Sequence, residues 1–293
     1  MSLLNKNISP MLLSEIKNPF DDSNYLFELK IDGVRALIII NNNKLIIKNK
    51  LGVDITYRYP EFQKLKFNKN IIFDGEIASL VDGKPSFEKL KKRMTLKNES
   101  KINKIFKTNP TVFLVFDIIY ENKDLTTLPL IERKNILNKY SDNNLFIKLE
   151  YILEKGIDLF KLAVDNNLEG IVAKKKDSFY YPNKRVKEWI KIKNWQTDEF
   201  IIFGYKEEKD KHVATLLIGE KVNNKYLLIG TISIGKKNID YKTIKNNKID
   251  NNSSIKKDGY INILPTLKCI VEYMERTKSG KLRQPHFRGL KNR

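Results

Sequence analysis

From Tyr25 onward, short apolar runs alternate with polar turn residues, and their spacing predicts mixed strands and helices instead of a helical bundle. Residues 35–40 and 44–48 are apolar runs flanking Asn41, Asn42 and Asn43, a hairpin pattern. Further strands are predicted over 71–80, 111–120, 170–175 and 188–193, and helical spacing appears over 87–94, 130–138 and 156–164. After Asn194 the rhythm becomes all-β, with strands over 199–205, 213–218, 225–232 and 267–273. A turn at Asn223 and Asn224 and a polar stretch over 236–258 separate them. A small β-barrel fits this second region, and the OB-fold is a common barrel of its size in nucleic-acid enzymes.

Length agrees with that division. A chain of 293 residues lies where a single core stops growing, at about 250–300 residues, so two domains are expected, 1–194 and 195–293. With 55 Lys+Arg against 35 Asp+Glu, the formal charge of +20 favours a polyanionic partner. No apolar run approaches the ~20 residues that span a bilayer, and the first twenty residues lack a secretory pattern. A cytoplasmic protein with no membrane partner is expected. Cys269 is the sole cysteine and lies in an apolar run, which reads as a buried strand residue and excludes intrachain disulfides and multi-cysteine zinc sites.

Several segments carry candidate chemistry. Glu28-Leu29-Lys30-Ile31-Asp32-Gly33-Val34-Arg35 places a lysine at a strand end beside a glycine-permitted turn. A lysine acts as a nucleophile only when desolvation or neighbouring cations lower its pKa; Arg35, Lys191 and Lys193 are candidates to supply them. An ordinary solvated hairpin lysine is the alternative. Trp189-Ile190-Lys191-Ile192-Lys193 alternates strictly, so both lysines share one strand face, suited to a phosphate or simply to solvent. Asp74 and Glu76 lie on one side of a strand otherwise apolar enough to be buried, and Glu169 precedes another such strand. Carboxylates converging at strand ends can hold Mg²⁺ together with substrate phosphates, although each alone reads equally as a turn residue. Phe116 reads as core, or as the aromatic face of a purine slot.

In this order, the segments resemble the ATP-dependent DNA ligases of the covalent nucleotidyltransferase superfamily, most closely the ligase module of bacterial end-joining ligases, over residues 25–290. The resemblance implies an α+β fold: a nucleotidyltransferase (ATP-grasp-like) adenylation domain of antiparallel sheets and helices, followed by a C-terminal OB-fold β-barrel. It implies that Lys30 attacks the α-phosphate of ATP, that AMP passes to a 5′-phosphate at a nick, and that the 3′-hydroxyl displaces it. Glu28 would then lie against adenine, Arg35 would contact sugar or phosphate, Glu76 would bind the ribose, and Phe116 would stack on the purine. Arg185 would be a basic nucleotide or phosphate contact, and Lys191 and Lys193 would bind the α-phosphate. Glu76 and Glu169 would hold Mg²⁺ or Mn²⁺. The implied partner is nicked duplex DNA, with a Ku-like end-binding protein as a candidate, and the implied protein is a monomer.

Three departures from the family pattern stand out. Lys50-Leu51-Gly52 has lysine where an arginine is usual, keeping the charge but losing the bidentate fork, so a weaker nucleotide or nick contact is expected there. The final motif, over 282–291, lacks its usual Asp and Lys, for which Arg283, Arg288, Lys291 or Arg293 are candidate substitutes. No helical DNA-binding domain precedes Tyr25 and no polymerase or nuclease is attached, so a minimal two-domain ligase is expected. An RNA ligase, a capping-type nucleotidyltransferase using GTP, and a catalytically silent nucleic-acid-binding protein are the competing readings.

Overall fold

The structure, a computed structural model, describes residues 3–207, 212–277 and 279–291. It divides into two compact units, Met1–Asn194 and Trp195–Arg293. In the first, the strands in chain order are β1 (Leu12–Ile16), β2 (Asp22–Leu29), β3 (Val34–Asn41), β4 (Lys44–Asn49), β5 (Ile71–Ala78), β6 (Leu80–Val81), β7 (Lys84–Pro85), β8 (Val112–Glu121), β9 (Phe146–Lys148), β10 (Tyr151–Glu154), β11 (Gly170–Lys175) and β12 (Arg185–Lys193). The helices are α1 (Phe87–Met94), α2 (Glu99–Thr108), α3 (Leu130–Leu137) and α4 (Gly156–Asp165).

These strands make two five-stranded sheets, ordered β1-β12-β11-β2-β10 and β4-β3-β5-β8-β9. The two-residue period explains the layering. On β3, Ala36, Ile38 and Ile40 face a core with Phe73, Phe113 and Phe146, while Leu37 and Ile39 face a second core with Leu26, Phe116 and Trp189. Leu26 on β2 joins that second core, and its neighbour Phe27 points the other way, into a cluster with Ala163 of α4. The second core is therefore built from both sheets. Each large apolar side chain buried in it contributes roughly 1.5–3 kcal/mol.

Local chemistry sets the element ends. The β3–β4 turn holds Asn42 and Asn43 at φ of 48° and 63°, the left-handed pair that a two-residue hairpin with right-handed twist requires and that Asn tolerates. Asn98 caps α2 by accepting the Lys101 backbone N–H at 3.0 Å.

Two features differ from the sequence expectation. The sheets are not wholly antiparallel: β1 pairs with β12 in parallel, and so does β8 with β9. Each of those pairs is joined by a long excursion, which parallel pairing needs and which local periodicity does not reveal. Helix α2 was not expected, because its Lys-rich sequence buries only Ile102.

The second unit contains β13 (Gln196–Glu207), β14 (Val213–Val222), β15 (Lys225–Gly235), α5 (Ile239–Lys245), β16 (Ile261–Asn262), β17 (Lys268–Tyr273), β18 (Glu275–Arg276), β19 (Leu282–Arg283) and β20 (His286–Leu290). Its main sheet runs β15-β14-β13-β17-β20, with β16 beside β13. Among the described residues β15 and β20 share no ladder, so the expected barrel is open there, as the partly open OB-fold permits. Helix α5 falls inside the stretch read as polar loop; only Tyr241 and Ile244 of it are buried. Cys269 is fully buried, and desolvation pushes its thiol up to about 12, in keeping with a structural residue.

Candidate active site

The candidate site lies on one face of the first sheet. Glu28 on β2 is opposite Val172 on β11, which is opposite Lys191 on β12, which is opposite Glu15 on β1. One row further, the Lys30 N–H donates to the Gly170 carbonyl at 2.9 Å, and Gly170 is opposite Lys193. The strict alternation of β12 thus places Lys191 and Lys193 on the face that carries Glu28 and Lys30. Gly170 has φ +129°, and a Cβ there would stand 2.1 Å from the Ile192 carbonyl oxygen, so only glycine lets these strands approach.

Lys30 follows β2 at the rim of an open cleft lined by Leu13, Glu28, Leu29, Lys30, Ile31, Arg35, Glu76, Phe116, Leu149, Val172 and Lys174. Its Nζ lies 2.7 Å from Glu169 Oε1. Glu76 lines the same cleft, and burial raises its carboxyl to about 8 even though Lys30 and Arg35 pull it down; Glu169 and Asp74 add to the rise. Gly33 lets the β2–β3 turn lie against β5, since a Cβ there would be 2.4 Å from the Ile77 carbonyl oxygen and 2.7 Å from Glu76 Cγ.

Lys191 Nζ is 3.0 Å and Lys193 Nζ 3.9 Å from the Glu15 carboxylate. The Lys193 ammonium is pushed below the usual lysine pKa, first by burial and further by Lys191 and Lys30, while Glu15 and Glu169 oppose the shift. This pair and Lys30 give three cations around one strand-end position.

Arg35 is held by Asp74 through two parallel bonds, Nε to Oδ1 and Nη2 to Oδ2, both 2.6 Å. Burial disfavours its charge, yet Asp74 raises the guanidinium pKa above its already high value. Asp74 is fully buried and also accepts the Tyr180 hydroxyl at 2.6 Å. Asp74, read from sequence beside Glu76 as a possible metal carboxylate, is therefore committed to Arg35 and Tyr180. Phe116 lines the cleft with its ring 4.4 Å from the Arg35 guanidinium carbon and 3.9 Å from Lys174 Nζ, so two cations already lie against it.

Glu28 is buried, its Oε1 paired with Lys134 and its Oε2 2.6 Å from Lys174 Nζ. Burial lowers Lys174 to about 8, against the pull of Glu28. Lys134, Lys174, Tyr180 and Glu15 had no assigned role from sequence. Lys174 was legible in principle, because it shares the face of Gly170 and Val172 by alternation. Nothing in the sequence near Lys134 marks it.

Two expected contacts lie elsewhere. Lys50 is exposed in the turn after β4, where Gly52 has φ +75°, and it does not line the cleft. Arg185 is exposed at the opposite end of β12 from Lys193, donating to the Leu13 carbonyl. In the second unit, Arg283 pairs with Glu275, Arg288 with Glu272 and Lys291 with Glu199. Arg293 lies outside the described residues.

The two carboxylates at the Lys30 rim, Glu76 and Glu169, are compatible with a hard divalent cation that takes its other ligands from water and phosphate. Among the described residues no cluster of three or more Asp, Glu, His or Cys side chains makes a self-sufficient metal cage.

The family model for the ATP dependent DNA ligase domain matches residues 10–193. The chain is 32% identical over 284 residues to the SPbeta prophage-derived DNA ligase-like protein LigB of Bacillus subtilis, covering 96% of this chain and 97% of that protein. It is 27% identical to the multifunctional non-homologous end joining protein LigD of Mycolicibacterium smegmatis, spanning 98% of this chain but only 38% of that longer protein. Its fold matches a solved mycobacterial DNA ligase D complexed with ATP and MES, with a TM-score of 0.61 and 24% identity over 99% of this chain and 96% of that one. By both the family model and its relatives, this chain belongs to the ATP-dependent DNA ligase family.

Proposed function

We propose that the protein seals nicks in duplex DNA in three steps, with Lys30 as the residue that carries AMP. The observation that supports this most is the convergence of Lys30, Glu169, Lys191 and Lys193 on one sheet face at the mouth of a cleft with an apolar inner wall. Phosphoryl transfer asks the protein mainly for positioning and for cations around the transferring group. Lys193 and Lys191 neutralise the α-phosphate, displacing their contact with Glu15. Glu169 holds Lys30 Nζ in place and is the acceptor within reach of its proton. Attack by Nζ on the α-phosphorus forms the phosphoramide bond and expels pyrophosphate; AMP then passes to the 5′-phosphate, and the 3′-hydroxyl displaces it.

Glu76 and Glu169 would hold Mg²⁺ or Mn²⁺ together with the phosphates, supplying charge neutralisation that carboxylates alone do not. Arg35, fixed by Asp74, faces the cleft from the β3 side and contacts the nucleotide or nick. The charge of +20 supports a DNA grip through phosphate neutralisation. Repair of broken ends is the reading that the end-joining name of the LigD relatives favours, and a Ku-like end-binding protein is the candidate partner that would deliver them.

Nick sealing on matched duplexes tests this reading. Joining of a DNA nick with ATP and Mg²⁺, without NAD, is expected. Sealing confined to an RNA strand, or label taken only from GTP, would replace it.

A further inference from the structure

We propose that Lys134 on α3 is a positioning residue that holds the Glu28 carboxylate as a hydrogen-bond acceptor for a purine 6-amino group, and thereby sets the preference for ATP over 6-oxo purine nucleotides. The inference rests on the cleft being the nucleotide site. Glu28 lies two residues before Lys30 on the same strand face, roughly 7 Å deeper, beside the apolar wall of Leu13, Phe116 and Leu149. A nucleotide whose phosphate reaches Lys30 presents its base there.

Lys134 is absent from the cleft lining and stands behind Glu28. The side chains of Lys134, Lys174 and Glu28 are at most 2% exposed. Burying three charges costs several kcal/mol before their pairing is counted, so such a cluster is a poor stabiliser, and orientation is what it can supply. Position is enforced from the neighbouring residue: Arg133 donates to both Asp117 oxygens at 2.9 Å and to the Ser178 carbonyl at 3.0 Å, fixing the turn of α3 that carries Lys134. Two ammonium groups occupy only part of a carboxylate's acceptor capacity and leave sites for a third donor. A group facing that carboxylate must donate. The 6-amino group of adenine does so, whereas the 6-oxo group of guanine or hypoxanthine would leave two acceptors opposed.

The test is covalent labelling with α-labelled ATP against α-labelled inosine triphosphate, which differs at the purine 6-position. Wild type is expected to prefer ATP by on the order of 100-fold or more, as sites built to hydrogen-bond a substrate group do. Lys134→Met should raise KM for ATP about tenfold and cut the preference at least about tenfold, with the loss falling on KM more than on the saturating rate. Lys134→Arg, which keeps the charge against Glu28, should restore the preference to within about threefold of wild type. If Lys134→Met does not fold, the neutral pair Glu28→Gln with Lys134→Gln takes its place and should lose the preference. An unchanged preference in the Met variant or the neutral pair overturns the proposal, as does a lower thermal midpoint with selectivity intact. Wild type that takes no label from ATP would instead defeat the reading of the cleft.

Discussion

Asp74→Ala is a substitution for which the structure fixes a large and specific loss. The carboxylate is fully buried and makes three contacts of 2.6 Å, two from Arg35 and one from the Tyr180 hydroxyl. Removing one partner of a buried pair costs about 3–5 kcal/mol, because the other charge is left uncompensated. Two features place the loss at the lower end: the Arg35 side chain is 15% exposed, and its guanidinium lies 4.4 Å from the Phe116 ring. Tyr180 retains the Met11 N–H, donated to its hydroxyl at 3.1 Å, so its lost contact adds only about 1 kcal/mol. About 3–4 kcal/mol is expected, and for a unit of this size each kcal/mol lowers the thermal midpoint by about 2–4 °C. Calorimetry should therefore show a fall of roughly 6–16 °C, and labelling by ATP should slow even at temperatures where the variant is folded, because Arg35 is no longer aimed at the cleft. A midpoint within about 2 °C of wild type would refute the view that Asp74 holds this wall together.

Three other substitutions probe the site. Glu76 has a folded-state pKa of about 8 against an ordinary 4.5, so the stability tied to its bound proton is fully present below pH 4.5 and is lost as pH rises through 8. The thermal midpoint of Glu76→Gln should fall less than that of wild type across this window, and parallel curves would contradict the assignment. Gly33→Ala forces a Cβ to within 2.4 Å of the Ile77 carbonyl oxygen; a loss of about 1–3 kcal/mol by denaturant titration is expected, accompanied by slower labelling. Lys193→Ala should slow labelling on the order of 100-fold while leaving the thermal midpoint nearly unchanged, and the opposite pattern would make Lys193 a structural residue.

Much of the first unit was legible because its signals are local. Strict alternation at Trp189 to Lys193 gave both a strand and the shared face of Lys191 and Lys193, and the asparagines of the β3–β4 turn gave a hairpin. The acids were less legible. Asp74 and Glu76 share a strand face and differ by two residues, yet Asp74 is consumed by Arg35 and Tyr180 while Glu76 lines the cleft, and only tertiary contacts separate them. Phe116 belongs to a buried core and also lines the cleft. Glu15 and Lys134 were invisible for a common reason: each meets its partner across a large sequence separation, β1 through parallel pairing with β12 and α3 through packing behind β2. Helices α2 and α5 escaped notice because their apolar positions, among them Ile102, Ile105 and Phe106 in one and Tyr241 and Ile244 in the other, are few and set among lysines and asparagines.

The role of Lys30 as the residue that carries AMP has a direct test. Incubation with α-labelled ATP and Mg²⁺, followed by peptide mapping, should place AMP on Lys30, and Lys30→Ala should take no label while keeping the wild-type thermal midpoint within about 2 °C. Label mapped to another residue, or retained in Lys30→Ala, would contradict the account.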